Sequence, residues 1–130
     1  MIVVDASAVL EVLLNTPDGA GIAARLFTGG ETLHAPHLLD LEVTQVLRRY
    51  ARSGELTARR GMQALEDLVD LPLVRYPHEF LLARIWELRD NVTAYDAAYL
   101  ALAEALAAPL VTRDAALAAS RAHRARVELM

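Results

Sequence analysis

The chain has 130 residues, a formal net charge of −4, no cysteine and no lysine. This length is enough for one domain with a hydrophobic core and too short for two. The missing cysteines exclude disulfides and thiolate metal sites, and the missing lysines exclude a Walker A phosphate loop and Schiff-base chemistry.

Hydrophobic residues make up 55% of the chain, which is high for a small domain. A surplus of this kind predicts an apolar surface that another protein covers, so we expect a homodimer or a tight protein partner. No apolar run is long enough to cross a bilayer, and no basic segment precedes the first apolar residues. We therefore expect neither a membrane span nor a secretory signal, and the lack of cysteine fits the reducing cytoplasm.

Short apolar strands and helices alternate along the whole chain. Strands are predicted at residues 2–4, 32–35, 71–74, 110–112 and 126–129, and helices at residues 7–14, 20–27, 38–52, 56–69, 77–88, 94–107 and 115–122. Ser7 and Thr57 are the expected N-caps of the first and fourth helices. The alternation predicts an α/β fold in which helices cover both faces of a parallel sheet. The strand that contains Pro72 is expected at an edge of that sheet.

Two acidic residues follow predicted strands. Asp5 ends the apolar run that opens the chain, and Asp114 comes two residues after Thr112. Aspartate is a favoured N-cap, so each acid suits the start of the helix that follows it. Ligands of parallel sheets bind at the carboxyl ends of the strands, so each acid also lies where a functional site is expected. The two roles are compatible, and neither position alone decides between them.

A third acid, Asp96, lies on a predicted helix. Asp96 follows Thr93 by three residues, which is the spacing of a capping box. This structural role alone would explain an acid at this position. Asp96 also shares a helix face with Tyr99 and Leu100, where a carboxylate needs a partner because burying it alone costs free energy. The spacing alone favours the cap.

Glu42 is the fourth acid that stands out. On a helical wheel it lies near Leu38 and Val46, whereas Asp40, two residues away, faces elsewhere. The wheel mildly favours Glu42 as the inward acid. Carboxylates that meet without a cation repel, whereas Mg²⁺ or Mn²⁺ held by acids can neutralise a phosphodiester and activate water.

The clustered arginines and the aromatic residues are predicted to have structural roles. Five arginines cluster around one predicted helix–turn–helix: Arg48, Arg49, Arg52, Arg59 and Arg60. We favour a solvated face for them, and contacts to an RNA backbone are the alternative. Three aromatic residues are interpreted as core rather than as base-stacking platforms: Tyr95, Tyr99 and Trp86.

Four stretches carry these features in order: MIVVDASAVLEVLL, PHLLDLEVTQVLRR, VTAYDAAYLALAEAL and PLVTRDAAL. Together they closely resemble the PIN-domain family and, within it, the VapC-type ribonuclease toxins of bacterial toxin–antitoxin pairs. The similarity covers essentially the whole chain. It implies a three-layer α/β/α fold with a five-stranded parallel sheet and an endoribonuclease that depends on Mg²⁺ or Mn²⁺. It also implies a tRNA or rRNA substrate, a homodimer and a VapB-type antitoxin that covers the active site.

Carried over residue by residue, the resemblance assigns the catalytic acids as Asp5, Glu42, Asp96 and Asp114. Asp5 and Asp96 would be the main metal ligands, and Asp114 would complete the site directly or through water. Glu42 would orient or deprotonate the attacking water. Ser7 and Thr112 match polar positions that support the site in the family.

Two other classes of function are alternatives to a ribonuclease. A receiver-like signalling domain also has a doubly wound fold with clustered acids, but it relies on a lysine near its last strand, which this chain lacks. A non-catalytic interaction module would use the same acids only as helix caps. A titration with Mg²⁺ or Mn²⁺ separates the module from the enzyme, because only a cation site raises the melting temperature.

Overall fold

A computed structural model describes the whole chain, Met1–Met130. Its elements in chain order are β1 (Ile2–Val4), α1 (Ala6–Leu13), α2 (Gly19–Phe27), β2 (Leu33–Pro36), α3 (Leu38–Ser53), α4 (Ala58–Asp70), β3 (Leu73–Tyr76), a 3₁₀ turn (Glu79–Leu81), α5 (Leu82–Glu87), α6 (Ala94–Leu106), β4 (Leu110–Thr112), α7 (Ala115–Ala118) and β5 (Val127–Leu129). No helix among them combines the length and the apolar character that a membrane span requires.

The five strands form one parallel sheet in the order β3-β2-β1-β4-β5. β1 lies at the centre, and β3, which follows Pro72, lies at an edge as predicted. α6 packs against β1, β2 and β4, whereas α1 contacts β4 and packs with α2, α3 and α4. β1 and β4 are buried along their whole length, because helices cover both faces of the sheet. The predicted three-layer α/β/α fold is confirmed.

α6 is the helix that the core surrounds most completely. All residues from Ala97 to Ala103 are buried, including Leu100 and Leu102. A helix that is apolar on nearly every side lies inside a protein rather than on its surface, because each buried leucine contributes about 1.5–3 kcal/mol relative to an exposed one. This packing fixes the N-terminus of α6, and with it Asp96, near the carboxyl edge of the sheet.

The first helix begins one residue earlier than predicted, and of the two predicted caps, Ser7 and Asp5, the structure has Asp5. Asp5, not Ser7, is the N-cap of α1, since an Asp5 side-chain oxygen accepts a hydrogen bond from the Ala8 N–H at 3.1 Å. The Ser7 hydroxyl instead donates to Asp5 at 2.6 Å. The predicted cap Thr57 of α4 is confirmed, and α3 ends at Gly54, whose left-handed φ of 82° suits a glycine.

Two predicted helices are shorter than the sequence indicates. Residues 77–88 hold only the 3₁₀ turn and α5, because the His78 ring accepts a hydrogen bond from the Leu38 N–H at 3.1 Å and is tied to α3. Residues 115–122 hold only α7, because the Ser120 hydroxyl donates a hydrogen bond to the Leu117 carbonyl at 2.6 Å and Ala122 has a left-handed φ of 71°.

The strands β2 and β3 lie one and two residues later than predicted. For β3 the reason is the length of α4, which runs to Asp70 and whose C-cap Leu71 still bonds back to the Asp67 carbonyl. Apolar residues at such a junction fit a helix end and a strand start equally well, so only the pairing across the sheet decides between them.

Candidate active site

Asp5 lies at the carboxyl end of the central strand and is buried. One of its carboxylate oxygens accepts hydrogen bonds from the Ser7 hydroxyl and the Ala8 N–H, and the other accepts one from the Thr112 hydroxyl at 2.5 Å. These bonds lower the pKa of Asp5, but burial outweighs them and the pKa is raised overall, with the charge of Asp114 adding to the rise. Asp5 is therefore both a helix cap and a carboxylate that is held in place with little access to water.

The Ser7 and Thr112 hydroxyls join the ends of the two central strands. They lie 3.2 Å apart, and Ser7 also accepts a hydrogen bond from the Arg113 N–H at 2.9 Å. Thr112 accepts one from the Asp114 N–H at 2.9 Å. The backbone that carries Asp114 is thus tied to the same hydroxyl that holds Asp5, which agrees with the supporting role that the resemblance implies.

Asp114 is the N-cap of α7. One carboxylate oxygen accepts hydrogen bonds from the Ala116 N–H at 2.8 Å and the Leu117 N–H at 3.2 Å. The other oxygen makes no hydrogen bond within the chain, so the cap leaves part of this carboxylate free to meet a ligand.

Asp96 lies in the first turn of α6, where its N–H donates to the Thr93 hydroxyl at 3.2 Å. Thr93 is thus the N-cap of α6, but only half of the predicted capping box forms, because the Asp96 carboxylate accepts no hydrogen bond from the Thr93 N–H and has no partner within the chain. Burial raises the pKa of Asp96, and the charges of Asp114 and Asp5 raise it further.

Glu42 is the inward acid of α3, as the helical wheel predicts. The Tyr99 hydroxyl donates to one of its carboxylate oxygens at 2.5 Å. Burial raises the pKa of Glu42, the Tyr99 bond lowers it in part, and the charges of Asp5 and Asp96 raise it again. Asp40 faces away and pairs with the Arg75 guanidinium at 2.8 Å.

Tyr99 is the site residue that sequence reasoning missed. The ring is 1% exposed and belongs to the core as predicted, but its hydroxyl reaches across from α6 to α3. Burial and the negative charge of Glu42 raise the pKa of Tyr99, so it remains a hydrogen-bond donor. Its position three residues after Asp96, on the same helix face, is the signal that connects it with the acids.

The acid cluster, defined here as Asp5, Glu42, Asp96 and Asp114, has no paired counter-charge. None of these carboxylates forms an ion pair with an arginine. Their charges nevertheless act on one another: Asp5 and Asp114 both raise the pKa of Asp96, and Asp5 and Asp96 both raise the pKa of Glu42. The structure therefore brings the predicted site residues to one edge of the sheet.

The donor chemistry of the acid cluster fits a hard divalent cation, since its ligands would be carboxylate oxygens whose mutual repulsion a cation relieves. As the side chains stand, no three Asp, Glu or His groups are placed to hold one ion together. Asp5 and Asp114 each turn an oxygen toward the helix that they cap, which keeps these oxygens apart. The assignment of Asp5 and Asp96 as metal ligands stays a prediction.

Two aromatic residues that were predicted to lie in the core are exposed instead. Tyr95 is 66% exposed and Trp86 is 68% exposed. Trp86 packs beneath the Arg89 guanidinium, which lies 4.7 Å from the ring centroid. Tyr95 occupies the side of α6 that the sheet does not cover, because the buried face of that helix is already filled by Tyr99 and the alanines beside it.

The fold and the site together define a class: an α/β domain whose parallel sheet carries a carboxylate cluster at its carboxyl edge. The family model described as PIN domain matches residues 2–122. Ribonuclease VapC9 of Mycobacterium tuberculosis is 52% identical over 114 residues, which are 88% of this chain and 86% of the relative. Ribonuclease VapC12 of the same species is 42% identical over 130 residues, which are 100% of this chain and 99% of the relative.

A solved structure shares the fold at lower sequence identity. The crystal structure of Mycobacterium tuberculosis VapC20, described as a sarcin–ricin loop cleaving toxin, matches with a TM-score of 0.70 and 16% identity over 92% of this chain and 94% of that chain. The chain belongs to the PIN-domain family, and its relatives place it among the VapC ribonucleases.

Proposed function

We propose that the protein is the toxin of a toxin–antitoxin pair and that it cleaves RNA as an endoribonuclease dependent on Mg²⁺ or Mn²⁺. The observation that carries this proposal is the acid cluster, whose four carboxylates lie together without an arginine partner. Burial raises the pKa of three of them, Asp5, Glu42 and Asp96. The position of the acid cluster at the carboxyl edge of a PIN-domain sheet, and the names of the VapC ribonuclease relatives, support a phosphodiester substrate.

Asp5 and Asp96 are the proposed metal ligands, with Asp114 completing the site directly or through water. Asp5 is held rigidly by Ser7 and Thr112, whereas the Asp96 carboxylate has no partner within the chain and is free to turn toward a ligand. A bound Mg²⁺ would neutralise phosphate charge and lower the pKa of a bound water.

Glu42 is the proposed general base. Tyr99 holds one carboxylate oxygen and leaves the other free to accept a proton from the attacking water. Its raised pKa brings it closer to the pH at which a base both accepts a proton and stays ionised before the reaction. Attack of water on phosphorus with departure of the 3′-oxygen leaves 5′-phosphate and 3′-hydroxyl ends, and this route needs no ribose 2′-hydroxyl.

We propose two protein contacts besides RNA, a homodimer and a VapB-type antitoxin. Large apolar side chains stand exposed on α4, where Met62 is 54% exposed and Val69 74%. Exposed apolar side chains of this size favour protein contact, because covering them removes apolar area from water. The proposed RNA target is a tRNA or an rRNA loop, of which the sarcin–ricin loop attributed to VapC20 is one example.

Induced expression in a bacterial host tests the residue assignment. The wild-type protein is expected to arrest growth, and Glu42→Gln is expected to abolish the arrest because it removes the base while keeping the side-chain shape. Asp40→Asn, on the same helix, is the matched control, since Asp40 pairs with Arg75 outside the acid cluster. Growth arrest by Glu42→Gln at wild-type strength, with equal protein levels, would contradict the proposed role of Glu42.

A further inference from the structure

Tyr95 is a large aromatic side chain that stands in solvent beside a proposed catalytic acid. It is 66% exposed, and it directly precedes Asp96 at the start of α6. Its hydroxyl makes no hydrogen bond within the chain, in contrast to the buried Tyr99, which bonds to Glu42. Two-thirds of the side chain is open to solvent, so its ring is available to a ligand.

The ring of Tyr95 lines a groove of about 360 Å³ together with one face of α3. Leu38, Leu41 and Val46 give the groove an apolar floor, and Glu42 lies in it as well. We call this depression the α3–α6 groove. Because Glu42 belongs to both the groove and the acid cluster, the groove opens directly onto the proposed site of cleavage.

Arg49 supplies positive charge to the same groove. It is exposed and forms no ion pair, and the same holds for Arg48 and Arg52 on α3 and for Arg59 on α4. Arg49 follows Glu42 by seven residues, so it lies on the same helix face about 10 Å farther along the axis. The acid cluster repels a polyanion, whereas these arginines of α3 and α4 attract one because no acid pairs with them.

We propose that the α3–α6 groove binds the stretch of RNA next to the cleaved bond, with Tyr95 stacked on a base and Arg49 in contact with a flanking phosphate. This inference rests on the proposed function, since it assigns a subsite to the same reaction. An apolar floor with an aromatic wall accepts the face of any base, so the contact adds affinity without sequence preference. The unpaired charge of Arg49 favours RNA over an apolar peptide helix as the occupant, because only the polyanion matches it.

Binding of RNA to a cleavage-blocked protein tests the proposal. Fluorescence anisotropy with a labelled single-stranded RNA 12-mer of mixed sequence is measured on Asp96→Asn protein, on the same protein with Tyr95→Ala, and on the same protein with Arg49→Ala, over a series of salt concentrations. We expect Tyr95→Ala to weaken binding about tenfold with an unchanged salt slope, as loss of a stacking contact does. Arg49→Ala is expected to weaken binding and to lower the salt slope by about one, as loss of a phosphate contact does.

Control residues lie outside the α3–α6 groove. Phe27, the last residue of α2, is an exposed aromatic residue, and Arg124, shortly before β5, is an exposed arginine. Phe27→Ala and Arg124→Gln should bind the RNA as the parent does, and Tyr95→Phe should restore most of the affinity because it keeps the ring. Circular dichroism melting confirms that each variant is folded, which is expected because Tyr95 and Arg49 are exposed.

The outcomes distinguish failure of the proposed RNA subsite from failure of the proposed ribonuclease function. If the parent protein binds the RNA and both groove variants match the controls, the subsite is wrong and the proposed function stands. If the parent does not bind and the active protein does not cleave RNA, the proposed function fails. If the groove variants bind RNA normally but escape neutralisation by the antitoxin, the groove belongs to a protein partner and the proposal is overturned.

Discussion

Individual hydrogen bonds determine which carboxylate oxygens of the acid cluster are free to bind a ligand or accept a proton. Asp5 has both carboxylate oxygens engaged, whereas Glu42 has one oxygen held by Tyr99 and one free. This difference fits the proposed roles, in which Asp5 keeps a fixed position and Glu42 accepts a proton. It also makes the Tyr99 hydroxyl a group whose removal changes the chemistry while leaving the core filled.

Tyr99→Phe is expected to lower activity most at acidic pH. The Tyr99 bond stabilises ionised Glu42, so its loss raises the pKa of Glu42 further and moves the acidic limb of the pH profile of kcat/KM to higher pH. The folded protein should lose about 1–3 kcal/mol of stability because a buried hydrogen bond to a charged group is removed. Tyr50→Phe, whose hydroxyl makes no hydrogen bond within the chain, is the control, and an unshifted acidic limb in Tyr99→Phe would contradict the coupling.

The raised pKa values also predict how stability depends on pH. A carboxyl group with a raised pKa binds its proton more tightly in the folded chain, so between the unfolded value of 3.8 for an aspartate and its raised folded value the free energy of unfolding falls as pH rises. Glu104 and Glu128 pair with arginines, have lowered pKa values and act in the opposite direction. Glu104 and Glu128 contribute equally to wild type and to a variant of one cluster acid. The difference in their free energies of unfolding at each pH therefore reports that acid alone.

Asp96→Asn should be more stable than wild type at neutral pH in EDTA, and this advantage should shrink as the pH falls through the raised pKa and vanish below 3.8. The reason is that the amide removes both the burial cost of the charge and its repulsion with Asp5 and Asp114. Urea unfolding at a series of pH values measures the difference. A stability difference between the two proteins that is independent of pH would contradict the assignment.

At the scale of elements, the site is held by the link between the ends of β1 and β4. The Thr112 hydroxyl donates to Asp5 and accepts from the Asp114 N–H, so one side chain connects the two acids that follow these strands. Thr112 is fully buried at the end of β4, and the strand cannot shift its register without breaking both bonds.

Thr112→Val is expected to destabilise the fold by about 2 kcal/mol, because it keeps the shape of the side chain and leaves a buried Asp5 oxygen without its donor. Thr44→Val is the matched control. The Thr44 hydroxyl bonds to a carbonyl within its own exposed helix turn, so its loss should cost at most about 0.5 kcal/mol. Equal unfolding midpoints in urea for the two variants would show that the link carries no stability.

The sequence predicted the elements and the order of the acids well, and it failed where tertiary contacts compete with local pattern. β1 and β4 were placed correctly because short apolar runs bounded by acids leave little choice. Serine and aspartate are both favoured caps, so the sequence predicts Ser7 or Asp5 for α1, whereas in the structure the Ser7 hydroxyl donates to Asp5. The helix at residues 77–88 was overestimated because no local signal shows that His78 bonds to α3.

At the scale of the whole molecule, the strand order puts the first residues of the chain at the middle of the site. β1 is the central strand, so Asp5 has Asp114 just beyond the end of the neighbouring strand β4, and α6 packs across the same strands. The net charge is −4, and the carboxylates of the acid cluster lie at one edge of the sheet. Repulsion between them destabilises the metal-free folded protein, and a divalent cation would relieve it.

Added Mg²⁺ or Mn²⁺ is therefore expected to raise the melting temperature of the wild-type protein. Binding to the folded state alone stabilises it by about 2.7 kcal/mol when the free ion is at 100 times its dissociation constant. The effect should be lost in Asp5→Asn, which keeps a favourable helix cap and removes the charge. Asp40→Asn serves as the control, and a melting temperature insensitive to both ions in the wild type would favour acids that act only as caps.

RNA cleavage by the purified protein tests the central claim most directly. Total bacterial RNA is incubated with wild type and with Asp5→Asn, each in Mg²⁺ and in EDTA, and the ends are identified by a ligation that requires a 5′-phosphate. The account predicts discrete products with 5′-phosphate ends only for the wild type in Mg²⁺. Equal cleavage in EDTA, or equal cleavage by Asp5→Asn, would contradict it.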